Sequence, residues 1–172
     1  MNLQTARLDD TSREVVIATP ASNGGPQVRI FQLSKTAHKL VTQFFAYSSG
    51  RRMGLSVAVG NILQGGGQEI MVSPTEGKYP VEVRIFSSRG ALRKQFYPAS
   101  DRYRNGADLS AGDLYAFDNT DEMLTSTYAN DIPGVFVFRR KNETALQHIL
   151  SFYAYNLGFR GGVRTELGHF GL

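Results

Sequence analysis

The feature of this 172-residue chain that most restricts its fold is an internal repeat. Residues 43–50 read Gln-Phe-Phe-Ala-Tyr-Ser-Ser-Gly, and residues 151–158 read Ser-Phe-Tyr-Ala-Tyr-Asn-Leu-Gly. A short apolar run precedes each copy, Val28–Phe31 in one case and Phe136–Arg139 in the other. A match of this kind at a single offset predicts two related halves. The alternative is that two amphipathic segments share aromatic residues by chance.

Each copy has the apolar spacing of an amphipathic helix. In the first copy the apolar positions three or four residues apart are Ala37, Leu40, Val41, Phe44 and Phe45. Ser34 is a suitable N-cap for this helix and Gly50 a suitable stop. Asn142 and Gly158 take the same places in the second copy. The repeated unit is therefore predicted to be a strand followed by a helix.

The rest of the chain is predicted to be mostly β-structure. Candidate strands are residues 14–19, 27–33, 53–59, 68–73, 81–87 and 91–97. Residues 98–133 are predicted to be an irregular insertion, and 159–172 a flexible tail. The predicted fold class is α+β, with mainly antiparallel sheets and two amphipathic helices on one side. One domain is expected over residues 1–172, with a pseudo-repeat of about 13–50 and 52–158.

Composition narrows the function without deciding it. The 19 lysines and arginines exceed the 15 acidic residues, giving a net charge of +4, which permits a polyanionic partner without requiring one. There is no cysteine, so disulfides, thiol catalysis and cysteine–zinc sites are excluded. No apolar run is long enough to span a membrane, and a membrane partner is not expected. The first residues lack the pattern of a targeting signal, so the chain is expected to be untargeted or already trimmed.

No motif in the sequence predicts catalysis. Residues 60–65 have the outer spacing of a phosphate-binding loop, but glycines follow where lysine and serine or threonine are needed. Histidines 38, 148 and 169 have no second ligand at metal-binding spacing. Asp118, Asp121 and Glu122 could act as paired carboxylates, although an acidic loop is more often only solvated. We expect a protein that is not an enzyme and that needs no metal or cofactor.

The basic residues suggest a nucleic-acid surface. They recur on predicted strands and on the loops beside them, where an open sheet face could hold phosphates. The predicted nucleic-acid-binding residues are Arg29, Arg51, Arg52, Arg84, Arg89, Arg93, Lys94, Arg102 and Arg104, with Phe31 and Phe86 to stack on bases. The alternative is ordinary solvated charge on an antiparallel sheet.

Three stretches also resemble a known family. Val28–Leu33 leading into the first predicted helix, Gly134–Phe138 leading into the second, and the closing Leu157–Arg160 make the chain similar to the Whirly-type single-strand binders. Within that group it looks nearest to the kinetoplastid mitochondrial RNA-binding proteins that bind guide RNA. The resemblance covers most of the chain and rests on topology and short matches.

The resemblance implies a mitochondrial heterotetramer of two related subunits with the helices at its centre. Single-stranded RNA, a guide RNA or a messenger, would lie across the sheets and be held by its phosphates, which would favour annealing. Tyr47 and Tyr155 fall off the core stripes of the predicted helices, so they are candidates for the contact with a partner subunit. They could equally be single exposed tyrosines.

A second function class fits the same sequence. The chain could be a structural subunit of a ribonucleoprotein or a capsid-like assembly, in which the basic residues are incidental or covered by protein. Dependence on salt separates the two classes, because phosphate binding weakens steeply as salt rises and an apolar protein contact does not.

Overall fold

The chain is all β-structure in its computed structural model, which describes residues 1–8, 14–63, 65, 67–76, 79–115, 120–128, 130–143 and 145–167. The twelve strands are β1 (Asn2–Ala6), β2 (Val15–Thr19), β3 (Gln27–Leu33), β4 (His38–Phe45), β5 (Leu55–Gly60), β6 (Glu69–Pro74), β7 (Val83–Phe86), β8 (Leu92–Phe96), β9 (Ala107–Gly112), β10 (Glu122–Thr127), β11 (Gly134–Arg140) and β12 (Leu146–Tyr153). These residues contain no helix, so the α+β prediction is wrong.

The strands form three antiparallel sheets of four, each a simple meander. We call β1–β4 unit one, β5–β8 unit two and β9–β12 unit three. Every strand in a unit pairs with its neighbour in sequence, so each unit is built from short antiparallel connections. The segment 98–133, predicted to be irregular, supplies β9 and β10.

The three units carry the same irregularity at the same place. The register between the third and fourth strands shifts after Ile30 in unit one, after Ile85 in unit two and after Val137 in unit three. In each case the fourth strand contains one extra residue, which is the signature of a β-bulge. The two matching stretches of sequence, 43–50 and 151–158, lie at the end of the fourth strands of units one and three.

This bulge explains why the predicted helices are strands. Val41 is the extra residue in β4 and Ile149 the extra residue in β12. A bulge moves the following side chains to the opposite face, so an apolar alternation with period two becomes a spacing of three and four residues, as in a helix. The β-branched and aromatic residues of the two segments are also typical of strands.

The same hydrogen bond links each unit to the next part of the chain. A hydroxyl on the second strand donates to a carbonyl at the start of the following segment: Thr19 to Leu55 (3.0 Å), Ser73 to Ala107 (2.7 Å) and Ser126 to Val163 (2.7 Å). Leu55 and Ala107 begin the first strands of units two and three. Val163 therefore occupies the position at which a first strand would begin again after unit three.

The units pack face to face around the first strands. One apolar cluster joins units one and two, and a second joins units two and three. Strand β5 contacts both β1 and β9, so the first strands lie next to one another while the fourth strands lie outermost. The three sheets therefore follow one another side by side about their first strands, as successive four-stranded sheets do in a radial array.

The segment after unit three is packed rather than loose as far as it is described. Val163 is buried and packs in a third apolar cluster with Leu124, Val135 and Val137. Its backbone nitrogen donates to the carbonyl of Thr127 at 2.9 Å. Residues 163–167 thus cover the inner part of unit three, where the flexible tail was predicted.

Candidate nucleic-acid interface

The predicted basic sheet face is not open, because both faces of unit two are covered by the neighbouring units. Arg84 lies at the junction of units one and two. Its guanidinium pairs with Glu82 at 2.7 Å, donates to the carbonyl of Ala46 at 2.9 Å and lies over the ring of Tyr47 at 4.7 Å. With these contacts the guanidinium of Arg84 stabilises the junction and is not available to bind a phosphate.

Phe86 is buried beside it and cannot stack on a base. It is 4 % exposed, and its ring centroid lies 4.8 Å from that of Phe44. Phe31 is half-buried on the face of unit one that points away from unit two, and the exposed Arg29 lies 5.2 Å from its ring centroid. The two phenylalanines predicted to contact bases therefore lie in different surroundings.

Arg93 is the extra residue in the bulge of β8 and is held by a buried carboxylate. It pairs with Glu69 at 2.7 Å, and Glu69 also accepts hydrogen bonds from the backbone nitrogens of Ile62 and Leu63. Burial raises the pKa of Glu69, and these hydrogen bonds and Arg93 act in the opposite direction. Lys94 follows on the same strand and is half-buried, whereas Arg89 is exposed at the tip of the β7–β8 hairpin. Arg93 thus stabilises the carboxylate that holds the backbone of the loop between β5 and β6.

The two tyrosines predicted to contact a partner subunit have opposite environments. Tyr47 is 2 % exposed, and its hydroxyl, which has one proton to donate, lies within hydrogen-bond distance of the backbone carbonyls of Val72 and Glu82 inside the junction. Burial raises the pKa of this phenol. Tyr155 is 56 % exposed, with its ring 4.5 Å from that of Phe159. Only Tyr155 is accessible to another molecule.

A different group of arginines lies at one end of the units. The segments that lead from units one and two to the next, and from unit three to Val163, all lie at this end, which we call the connection end. Arg52, Arg104 and Arg160 take corresponding places in the three segments and are all exposed. We call these three residues the arginine row.

Each guanidinium of the arginine row is held by backbone carbonyls of its own connection. Arg52 donates to Ser49 and Arg51, and Arg160 donates to Leu157 and Phe159. Arg104 donates to the carbonyl of Arg102 at 2.6 Å. An arginine has five N–H donors, so these bonds fix its direction and leave donors for an anion.

Other charges at the connection end are mostly engaged locally. Arg51 lies over the ring of Tyr79 at 4.3 Å, and Arg102 is exposed. The nearby carboxylates are Glu76, Asp101 and Asp131. Glu76 accepts from the backbone nitrogens at positions 23 and 54, and Asp131 accepts from the amide of residue 105. The described part of this end therefore carries more exposed guanidinium groups than carboxylates.

Sequence reasoning selected Arg51, Arg52, Arg102 and Arg104 but missed Arg160. It lies in the segment that was predicted to be a loose tail. The signal was present, because Gly50-Arg51-Arg52 matches Gly158-Phe159-Arg160 at the offset of the repeat.

A polar cavity along the first strands of the three units was also missed. It has a volume of about 510 Å³ and is lined by β1, β5, β9 and residues 164–167. Asp108 on its wall accepts a hydrogen bond from Ser56 at 2.9 Å, and burial raises the pKa of this carboxyl group. Arg164 donates to the hydroxyl of Tyr128 at 3.0 Å. The cavity is the space between the first strands of the three units.

The two described acidic residues that were considered for catalysis, Asp121 and Glu122, have separate hydrogen-bond partners. Glu122 is buried, accepts from the backbone nitrogen of Leu114 at 2.9 Å and pairs with Arg139 at 3.3 Å. Asp121 accepts from the backbone nitrogen of Asn61. Asp118 and His169 lie outside the described residues. Within those residues, no group of three or more His, Cys, Asp or Glu side chains could hold a metal ion.

Comparisons with known proteins do not assign the chain to a family. A scan against protein-family models and searches of curated proteins and of solved structures found no match. In the part of the chain that the structure describes, no helix is long and apolar enough to cross a membrane.

Proposed function

We propose that this protein is a non-enzymatic module that binds single-stranded RNA by its phosphates, and that the arginine row makes the contacts. One observation carries the proposal: Arg52, Arg104 and Arg160 each present an exposed guanidinium from the same place in a repeated structure. A row of like charges at repeat intervals suits a polymer with a charge on every residue, and arginine is well matched to phosphate.

The proposed RNA-binding surface is the connection end of the three units, not the open sheet face that the sequence predicted. The hydrogen bonds within each connection hold the arginines before binding, so less side-chain freedom is lost when RNA binds. Arg51 and Arg102 lie in the same connections as Arg52 and Arg104 and add positive charge to this surface, although neither position is an arginine in all three connections. Contacts of this kind are independent of base sequence and leave the bases available, which is consistent with the annealing activity that the family resemblance implies.

The test is a salt titration of binding to a labelled single-stranded RNA, followed by fluorescence anisotropy. The triple variant R52Q/R104Q/R160Q should bind more weakly, and its plot of log affinity against log salt should flatten by about 2, since each lost phosphate contact on a single strand removes about 0.7. Loss of affinity should be similar for unrelated sequences.

The matched control is K35Q/K39Q/K141Q, which removes the same charge from exposed residues at and beside the hairpin turns at the other end of units one and three. It should leave the slope nearly unchanged. An equal loss in both variants would mean that only net charge matters, and it would overturn the assignment to the arginine row. Failure of the wild-type protein to bind RNA at low salt would overturn the function.

A second function, a structural subunit of an assembly, is favoured by a separate observation. The outer face of unit three exposes Leu150, Phe152 and Tyr155, each close to half exposed or more. Large apolar residues grouped in this way mark surfaces that contact another protein.

A further inference from the structure

The outer face of unit three corresponds to a face that is buried in unit one. Ala46 and Tyr47 of unit one are 1 % and 2 % exposed because unit two covers them. Their counterparts at the repeat offset are Ala154, which is exposed, and Tyr155, which is 56 % exposed. The chain thus repeats the residues of a junction on a face where residues 163–167 cover only the inner part.

The outer face of unit one carries the complementary residues. Arg29 and Phe31 flank Ile30, after which the register of β3 shifts, as Arg84 and Phe86 flank Ile85 in β7. In unit two these positions face unit one and form the junction with it. In unit one they face away from unit two, and there Arg29 is exposed and Phe31 is half-buried.

The two internal junctions show how such faces meet. Phe44 of β4 lies 4.8 Å from Phe86 of β7, and Phe96 of β8 lies 5.2 Å from Phe138 of β11. Each junction therefore pairs an aromatic ring of a fourth strand with one of the next unit's third strand. At the free ends of the array, the residues left over by this rule are Phe152 and Phe31, which match each other as Phe44 matches Phe86.

We propose that a second copy of this chain binds head to tail, with the outer face of its unit one on the outer face of unit three. Phe31 then meets Phe152, while Arg29 lies over Tyr155 and donates to the carbonyl of Ala154, as Arg84 does with Tyr47 and Ala46. The proposal deepens the assembly function and does not depend on RNA binding. Two copies would supply six four-stranded units, a number within the range of about 4–8 in closed radial arrays.

The segment 163–167 places one condition on this contact. It lies where the first strand of a following unit would lie, so β1 of the incoming copy competes with it for the same place. One of the two segments must be displaced when the faces meet. The contact is heterologous, and it closes into a ring or continues as a filament according to the angle between the copies.

The first experiment is sedimentation equilibrium of the wild-type chain over a concentration series up to about 100 μM, a range that covers weak specific contacts. We expect a species of at least twice the 19.0 kDa chain mass. The variants R29E and F152S should each weaken association at least tenfold, because central arginine and aromatic contacts dominate interface energies. K141E, which changes an exposed residue at the β11–β12 turn, should leave association unchanged.

The second experiment tests the geometry and uses the absence of cysteine. A mixture of F31C and F152C chains, treated with a short bismaleimide, should give a cross-linked pair between the two different variants. A mixture of F31C and L92C should not give this product. Exposed Leu92 lies on β8 of unit two, so it is on neither of the outer faces that are proposed to meet.

A monomer at every concentration would overturn the proposal, as would association that R29E and F152S leave unchanged. Equal cross-linking of the two mixtures would do the same. RNA binding is measured on the same samples, and loss of association with RNA binding retained would leave the phosphate-binding proposal standing. Loss of RNA binding with head-to-tail association retained would overturn the phosphate-binding proposal and leave the head-to-tail proposal standing.

Discussion

At the scale of single residues, the same residue type has different roles at equivalent positions. Tyr47 and Tyr155 are related by the repeat, yet one is buried at a junction and the other is exposed. Arg84 and Arg29 form a similar pair, since only Arg84 has a carboxylate, a carbonyl and an aromatic ring within reach inside the molecule. A sequence shows the residue type but not whether a neighbouring unit covers it, so their different roles could not be predicted.

The tyrosine pair gives a matched test. Tyr47→Phe removes a hydroxyl that is hydrogen-bonded to the backbone in a buried site, and we expect the free energy of unfolding to fall by about 1–2 kcal/mol. Tyr155→Phe makes the same chemical change on an exposed ring and should alter stability by less than about 0.5 kcal/mol. Urea unfolding of the two variants at a concentration where the protein is monomeric measures both values. Equal effects would contradict the assignment of Tyr47 to the junction.

At the scale of strands and connections, a regular alternation of apolar and polar residues could be recognised in the sequence, whereas the β-bulge could not. The predicted strand at 27–33 coincides with β3, where Val28 and Ile30 are buried and Arg29 is exposed. In β4 the extra residue Val41 breaks the alternation and imitates the spacing of a helix. A pattern of three and four residues arises from either structure, and the choice depends on pairing with β3, which is a tertiary contact.

The connection between units one and two depends on close backbone contact at one glycine. A Cβ atom at Gly54 would lie 2.0 Å from the carbonyl oxygen of Ala21, so Gly54→Ala must force the junction apart. We expect a loss of about 1–3 kcal/mol in the free energy of unfolding, the usual cost of overpacking.

Gly50→Ala is the control for this substitution in the same connection. A Cβ atom at Gly50 has no atom within 4 Å, so this variant should be neutral or slightly more stable. Thermal unfolding of the two variants measures the difference. If Gly54→Ala were as stable as Gly50→Ala, the contact between Gly54 and Ala21 would not be a feature of the folded protein.

At the scale of the whole molecule, the repeat was detected between units one and three, and unit two was not recognised as a member. The sequence reason is local: Pro98 and Ala99 stand in unit two where unit one has Ala46 and Tyr47. The structural signs of the repeat, namely the bulge and the hydrogen bond to the next segment, leave little trace in residue type. The match between Arg52 and Arg160 is present in the sequence, but the corresponding place of Arg104 follows only from the structural repeat of the three connections.

The most direct test of the proposed function is amide hydrogen exchange with and without single-stranded RNA at low salt. Exchange reports local protection of the backbone along the whole chain. The arginine row predicts that RNA slows exchange together in the three connections around Arg52, Arg104 and Arg160, and leaves the β7–β8 hairpin around Arg89 unchanged. Protection of that hairpin with no change in the three connections would contradict the account.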